Sequence, residues 1–450
     1  MQPYWKLHKI PILLVLGSVL FYSVFAYNLS REDFLKLLCL FVALGFFAFK
    51  LIQFEKWNFQ FLLGAGILFR LVFLLATPNL SQDFYRFIWD GELIAEGINP
   101  YLFTPNELIA TPNFQIPSAE ILHEGMGSLS ARHYSNYPPV NQFIFAISSF
   151  LGFGSVLGSV IWMRLFIIAA DIGIVHFGRK LLQNFNLSPH LIFWFFLNPL
   201  VLIELTGNLH FEGVMLFFFV WALYLISKGN LLLAAPIYAA SIMLKLVPLL
   251  FLPLFLNFLG FKKSFFFYSV TLLSCLLFTL PFYDPSLLDN YSKTIGLWFT
   301  NFQFNSGVYA LVKSIVVGTS DIKPWEFIKT YGTFVKAITL TLLLVLTFFK
   351  KQKNLKSVVT SMFLVLSTYY LLSSTVHPWY IIFLLVLGTF TNYRFALLWS
   401  ILVILSYFTY SQPNFQENSW ILILEYLTLF LFIIYELVKK NNNLLTIREK

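Results

Sequence analysis

Residues 81–91 read Ser-Gln-Asp-Phe-Tyr-Arg-Phe-Ile-Trp-Asp-Gly and set two carboxylates and a guanidinium close together. If the run is helical, Asp83, Arg86 and Asp90 fall at i, i+3 and i+7 on one face. The run follows an apolar stretch directly, so its first turn meets the membrane surface. A carboxylate there is expected to be partly desolvated, an environment that can raise a carboxylate pKa and suits a general base. The same residues also read as a solvated helix start capped by Ser81 and Asp83. Other polar residues sit at the ends of apolar stretches. Glu204 and Asn208 are i, i+4, with His210 and Glu212 following, while Lys245 closes another stretch and His377 opens a third. Gly97 and Pro100 read as a helix-ending turn, and Tyr137-Pro138-Pro139 as an extended entry into a helix.

A membrane frame must hold these residues. The chain has 450 residues, of which 58% are hydrophobic and 11% charged, against about 25% charge in a soluble domain. So much apolar surface has no water-soluble core to fill. A soluble enzyme, a disordered chain and a secreted disulfide scaffold are excluded. The net charge of +9 comes from short basic clusters between apolar runs; it reports orientation and not nucleic-acid binding. Cys39 and Cys275 lie inside apolar stretches, without metal or redox spacing.

The sequence predicts an all-α polytopic transmembrane helix bundle. Apolar stretches run over 10–27, 34–52, 59–77, 158–178, 190–206, 211–227, 231–246, 247–260, 264–282, 331–349, 357–375, 378–391, 394–410 and 420–438. That makes about 12 to 14 spans. Lys6 and Lys9 before the first stretch look like a signal peptide, but a second span follows at once, so the first helix is read as uncleaved. Basic clusters at 6–9, 50–56, 179–180, 228, 262–263, 350–356, 394 and 439–440 share one face, cytoplasmic by the positive-inside rule. The opposite face receives 78–139, with Arg86 and Arg132 against seven acidic residues. The alternation requires 140–153 to lie in the interface or to re-enter without crossing. Two long non-cytoplasmic loops result, 78–157 and 283–330, and loops of such length are usually functional. Both hold aromatic, helix-like segments, such as 291–304, suited to the membrane interface. Arg164 and Asp171, on one face of a span, are expected to partner other helices, and Arg70 to snorkel outward. This topology gathers Asp83, Arg86, Asp90, Glu204, His210, Glu212, Lys245 and His377 at one membrane face.

The motifs occur in a telling order: Asp-Phe-Tyr-Arg-Phe-Ile-Trp-Asp-Gly from Asp83, Gly-Ile-Asn-Pro-Tyr from Gly97, Tyr-Pro-Pro from Tyr137, then Asn198-Pro199 with Glu204. Gly-Asn-Leu-His-Phe-Glu from Gly207, Lys-Leu-Val-Pro from Lys245 and His-Pro-Trp-Tyr from His377 follow. This order resembles the GT-C superfamily of integral-membrane glycosyltransferases, and within it bacterial mannosyltransferases that use polyprenyl-phosphate sugars. The resemblance implies one integral-membrane domain over 1–450. It would comprise an added helix pair at 1–58, a GT-C-like catalytic core at 59–391 with both outer loops, and C-terminal helices with a cytoplasmic tail at 392–450. The added pair is inferred because the family's acidic loop usually follows the first helix, and here follows the third. The resemblance also implies a multi-pass protein of a bacterial inner membrane with its active site facing away from the cytoplasm. A hexose, expected to be mannose, would move from a polyprenyl-phosphate donor to a lipid or glycan acceptor. By position, Asp83 matches the family's acidic residue near the start of the first large loop, and Asp90 a second carboxylate found in some members.

A polyprenyl-phosphate sugar carries a good leaving group, so one base suffices for direct displacement with inversion. Asp83 takes that role. The departing phosphate needs cationic or hydrogen-bonding support, for which Arg86, Lys245 and His377 are candidates, with Arg86 the weakest beside the base. Asp90, Glu204 and Glu212 are placed to orient the acceptor or to hold a divalent cation, although no compact metal motif occurs. Tyr137, His210 and Trp379 are further substrate-contacting candidates. Trp298, Trp379 and Tyr380 suit stacking on a sugar, lining a lipid groove, or anchoring in the interface. Two other readings stay open. A transporter or flippase of lipid-linked saccharides predicts repeated, broken helices; Pro248 and Pro253 break the chain, but no matching second half appears. A polysaccharide polymerase or ligase predicts basic outer-loop clusters, where this loop is acidic. The absence of a Gly-Lys-Ser/Thr loop and of Gly-x-Gly-x-x-Gly on a strand disfavours a nucleotide-sugar donor.

Overall fold

The computed structural model describes the backbone of residues 4–300, 302–319 and 321–448, and the side chains of 6–296, 302–319 and 321–439. Among the described residues every regular element is helical, and the one β contact is an isolated parallel bridge between Phe304 and Thr375. Helices long and apolar enough to cross a membrane are Lys6–Tyr27, Phe34–Phe54, Val156–Asn184, Phe261–Phe282, Pro324–Phe348, Leu355–Leu372 and Ser419–Lys439. A bent pair, Pro189–Phe196 with Pro199–Gly207, turns by 53° and makes an eighth if taken as one span. The protein is therefore an all-α polytopic membrane protein.

The other expected spans, at 59–77, 211–227, 231–246, 247–260, 378–391 and 394–410, are apolar helices of 10–17 residues. At 1.5 Å per residue they are short for a straight crossing of about 30 Å. Proline accounts for several of the breaks: it removes a backbone donor and clashes with the preceding turn. Pro189 and Pro199 start the two halves of the bent pair, Pro248 and Pro253 accompany a 3-10 helix at Val247–Phe255, and Pro378 starts another.

Helices α1 (Tyr4–Tyr27) and α2 (Phe34–Phe54) pack on each other, and α1 also packs on α3 (Phe59–Val72). The first long loop holds α4 (Asp83–Ala95), α5 (Pro105–Ile109), α6 (Ala119–Ala131) and α7 (Pro139–Gly152), and leads into α8 (Val156–Asn184). Arg70 does not snorkel. It is buried in α3, with Nε 2.8 Å from Asp171 Oδ2 of α8 and Nη1 donating to the Gly66 and Phe196 carbonyls. Its guanidinium also lies 3.9 Å over the Phe196 ring. The low dielectric inside makes an unpaired charge costly, so burial selects a partner over exposure.

Helix α7 has 14 residues, about 21 Å of rise, and packs against both α4 and α8. Pro138 leads in with an extended backbone (φ −63°, ψ 163°) and Pro139 takes the first helical position, where a missing N–H costs nothing. Helices α4 and α7 meet at Gly91, where an added Cβ would lie 2.5 Å from the Phe145 carbonyl oxygen and from Ser149 Oγ. Gly91→Ala is therefore predicted to destabilise the protein by about 1–3 kcal/mol through overpacking. The readout is the thermal midpoint in detergent, and a midpoint equal to wild type would remove this contact as a constraint.

The two long loops are stitched together by the Gly-Ile-Asn-Pro-Tyr turn. Gly97 has φ +75°, a backbone conformation that glycine adopts without strain. Asn99 Nδ2 donates to the Phe282 carbonyl at 2.9 Å, Asn290 Nδ2 to the Tyr101 carbonyl at 3.1 Å, and Tyr101 OH to the Tyr137 carbonyl at 2.6 Å.

Candidate active site

Asp83 is the first residue of α4. Gln82 supplies no side-chain cap, and Ser81 Oγ accepts from the Asp83 amide at 3.3 Å. The Asp83 carboxylate is thus not tied into a cap, and its side chain is 43% exposed. One turn further in, Arg86 Nε donates to Asp90 Oδ1 at 2.7 Å. Arg86 Nη1 also donates to the Ser130 and His133 carbonyls, while Asp90 Oδ2 accepts from Ser135 Oγ and Gln142 Nε2. Both residues are buried. Spacing alone puts the three charges on one face, but the structure separates their surroundings. Asp83 reaches the surface, whereas Arg86 and Asp90 tie α4 to the loop after α6 and to α7. Arg86 is thus already paired, and Asp90 already accepts three hydrogen bonds, from Arg86, Ser135 and Gln142.

A second group of residues comes from the bent helix pair, which ends in a π-helix at Leu202–Gly207. Its wider turn leaves carbonyls exposed inside the protein. Arg164 of α8 satisfies them, with Nε donating to Thr206 O at 2.7 Å and Nη2 to Gly207 O at 3.2 Å. Leu209 then takes φ +62°, a left-handed conformation that is costly for a bulky residue and is typical of functional sites. It turns His210 back over Glu204, with His210 Nδ1 3.1 Å from Glu204 Oε2. Glu204 is fully buried and accepts from Tyr407 OH at 2.6 Å and Asn208 Nδ2 at 3.0 Å. His210 Nε2 lies 3.9 Å from Asp83 Oδ2. Glu204, His210 and Asp83 thus form a line of acid, imidazole and acid running from the interior to the surface.

His210 is the end of a stack of rings. It lies 3.9 Å from Trp379, which lies 4.4 Å from His377, which lies 5.0 Å from Phe304. Phe304 is held by a two-way backbone exchange, donating to the Ser374 carbonyl at 3.0 Å and accepting from the Val376 amide at 2.8 Å. The last helix secures its neighbour, with Asn305 Nδ2 donating to Glu425 at 3.1 Å and Tyr426 OH donating to the Asn305 carbonyl at 2.7 Å. Burial among these rings, then the nearby His210 and Lys245, pushes the His377 imidazole below its ordinary pKa. It is therefore a neutral group near pH 7, which leaves it the hydrogen-bonding form of the support expected of it.

Lys245 Nζ lies 2.7 Å from Glu212 Oε1, and its side chain stays 30% exposed. The segment before it is pinned to the start of α7, because the Met243 and Leu244 carbonyls accept from Val140 N and Asn141 Nδ2. Burial, then the nearby Asp83, raises the Tyr137 phenol far above its ordinary pKa and keeps it protonated. Trp379 stands within the ring stack, and the Trp298 side chain lies outside the described residues. Asp90, Glu204 and Glu212 each have separate partners. Among the described residues, no three His, Cys, Asp or Glu side chains are arranged to hold a metal ion.

The motifs miss Arg31, Tyr407 and Tyr410. The two tyrosines lie in an apolar stretch and carry no signal. Arg31 does carry one: it is a basic residue at the outer end of a predicted helix pair, against the positive-inside bias.

The family model described as alpha-(1->6)-mannopyranosyltransferase, N-terminal domain, matches residues 34–260. The match begins at the first residue of α2, so α2 lies within the matched region. It takes in Asp83, Glu204, His210, Glu212 and Lys245, and ends before His377. Two curated proteins of Corynebacterium glutamicum are similar. Alpha-(1->6)-mannopyranosyltransferase B is 29% identical over 161 residues, 35% of this chain and 25% of that protein. Alpha-(1->6)-mannopyranosyltransferase A is 24% identical over 208 residues, 42% of this chain and 39% of that protein. The chain thus spans well under two thirds of either relative's length.

Proposed function

Because this chain belongs to the alpha-(1->6)-mannopyranosyltransferase family of GT-C-type membrane proteins, we propose that it transfers mannose from a polyprenyl-phosphate donor to a hydroxyl of a lipid or glycan acceptor. The site faces the non-cytoplasmic side, in the loops that the charge pattern places outside. Asp83 takes the proton of the acceptor hydroxyl as that oxygen attacks C1 of the sugar. The bond from C1 to the phosphate oxygen breaks, and the electron pair leaves with the lipid phosphate. The result is inversion at C1.

The observation that carries this reading is the line from Glu204 through His210 to Asp83. It ends in a surface carboxylate backed by a buried, oriented imidazole, the arrangement a base needs in order to hold its position. Around it, both His210 ring nitrogens, His377 Nδ1 and Glu212 Oε2 are buried atoms with no hydrogen-bond partner among the described residues, the His210 Nδ1 approach to Glu204 being a close contact rather than an aligned hydrogen bond. Such atoms cost free energy unless a ligand meets them, and sugar hydroxyls have the matching chemistry. Lys245 with Glu212, and Tyr137 with its retained hydroxyl proton, supply further polar contacts.

The test uses membranes carrying the full chain, with labelled polyprenyl-phosphate mannose and polyprenyl-phosphate glucose offered separately to endogenous acceptors. Transfer from the mannose donor is expected to exceed that from the glucose donor at least tenfold. A preference for glucose would overturn the choice of sugar, and no transfer from either would overturn the donor class.

A further inference from the structure

We infer that Arg31 binds the phosphate of the lipid-linked donor, and of the lipid phosphate released, beside Asp83; this rests on the proposed transferase reading. The inventory of cations leads to it. Arg86 is paired with Asp90, Arg70 with Asp171 and Lys245 with Glu212. Arg164 donates to three backbone carbonyls, and His377 is neutral. A phosphate arriving at Asp83 would therefore meet cations already neutralised or engaged.

Arg31 differs from these. It lies in the turn between α1 and α2, partly buried, and forms no ion pair among the described residues. The acidic residues after it do not neutralise it: Asp33 instead caps α2, accepting from Lys36 N at 3.3 Å. Its guanidinium is nevertheless held in place. It lies 4.0 Å over the Tyr410 ring, and Nη1 donates at 3.3 Å to the carbonyl of Leu80, three residues before Asp83. Asn79 Nδ2 fastens the same segment to the Arg31 turn, donating to the Phe25 and Leu29 carbonyls at 2.8 and 2.7 Å. Tyr410 in turn touches Phe304 of the ring stack at 5.8 Å and Tyr407, the donor to Glu204, at 5.6 Å. Arg31 thus contacts the Asp83 segment directly and, through Tyr410, neighbours the ring stack and the tyrosine that holds Glu204. An oriented guanidinium with free donors matches a phosphate through paired N–H groups, which an ammonium does not.

The phosphate has two possible sources, the lipid-linked donor and the headgroup of an anionic bilayer lipid, and the experiment separates them. Equilibrium binding of sugar-free polyprenyl phosphate to the full chain in detergent is measured for wild type, Arg31→Ala, Arg31→Lys and a control, Arg132→Ala, at an exposed arginine of the same loop face. Arg31→Ala is expected to weaken binding at least tenfold, Arg31→Lys to restore part of it, and Arg132→Ala to leave it unchanged. Uncharged polyprenol should bind wild type and Arg31→Ala alike, which also shows that the variant is folded. In transfer assays the donor KM should rise more than kcat falls. Equal phosphate affinity in wild type and Arg31→Ala overturns the inference, while transfer by wild type is judged separately. Loss of phosphatidylglycerol binding to the same extent as polyprenyl phosphate assigns Arg31 to the bilayer and also overturns it. Loss of polyprenyl phosphate binding in Arg31→Ala, with no transfer by wild type, supports the phosphate site and counts against the transferase reading.

Discussion

Asp83→Asn is expected to lower mannosyl transfer by roughly 10²–10⁴-fold, the usual contribution of a positioned general base. The amide keeps the shape of the carboxylate and still fits the first turn of α4, but it has no basic oxygen able to take a proton. Its effect should fall on kcat, with the donor KM little changed, because the sugar and phosphate contacts come from other residues. The fold should survive. The Asp83 side chain is 43% exposed, and the His210 ring lies 3.9 Å away, beyond hydrogen-bond distance, so the change resembles a surface substitution of within about 0.5 kcal/mol. Turnover at saturating donor, with matched expression and matched thermal midpoints, makes the measurement. Wild-type turnover in the variant would move the base elsewhere, and His210 with Glu204 behind it would be the next pair to test.

Asp171→Ala is expected to give the largest loss of stability, about 3–5 kcal/mol, as for other buried pairs broken on one side. The variant leaves the Arg70 guanidinium inside the bundle with two carbonyls and a ring face, but no counter-charge. Replacing both members with apolar residues, Arg70→Met with Asp171→Leu, should recover most of the loss, because desolvation of two charges largely offsets their attraction. Unfolding in detergent of Arg70→Met, Asp171→Leu and the double variant reads the coupling directly. If the double variant loses as much as the sum of the singles, the two residues act independently and the pair does not hold α3 to α8.

Fold class was legible in the sequence because hydropathy reports what a chain cannot expose to water. It does not report which inner side chains meet. Arg70 and Asp171 are 101 residues apart, and nothing local distinguishes a buried arginine from one that snorkels. The i, i+3, i+7 spacing placed Asp83, Arg86 and Asp90 on one face correctly, yet Asp90 found closer partners in Ser135 and Gln142 of the following loop and helix. Glu204 and His210 stood out as polar residues at a helix end, and they do meet. What turns them together is a left-handed Leu209 and a π-turn, neither of which has a residue signature. The short inner helices are likewise hard to see, because a hydropathy window averages across the prolines that break them. Tyr407 and Tyr410 were invisible for a plainer reason: a tyrosine in an apolar stretch looks like any interface aromatic.

The hydrogen bond from Tyr407 to Glu204 also sets an order in time. The two residues are 203 positions apart in the chain. At about 5–20 residues per second of synthesis, roughly 10–40 s separate the appearance of the carboxylate from that of the hydroxyl which steadies it. Asn305 likewise waits for Glu425, made 120 positions later. The early helices can enter the bilayer and pack during this interval, but the line from Glu204 to Asp83 lacks its tyrosine and the ring stack is incomplete. On the proposed reading, activity waits for the segment that carries Tyr407, and a nascent chain that stops short of it carries the proposed base without the contacts that steady its neighbours.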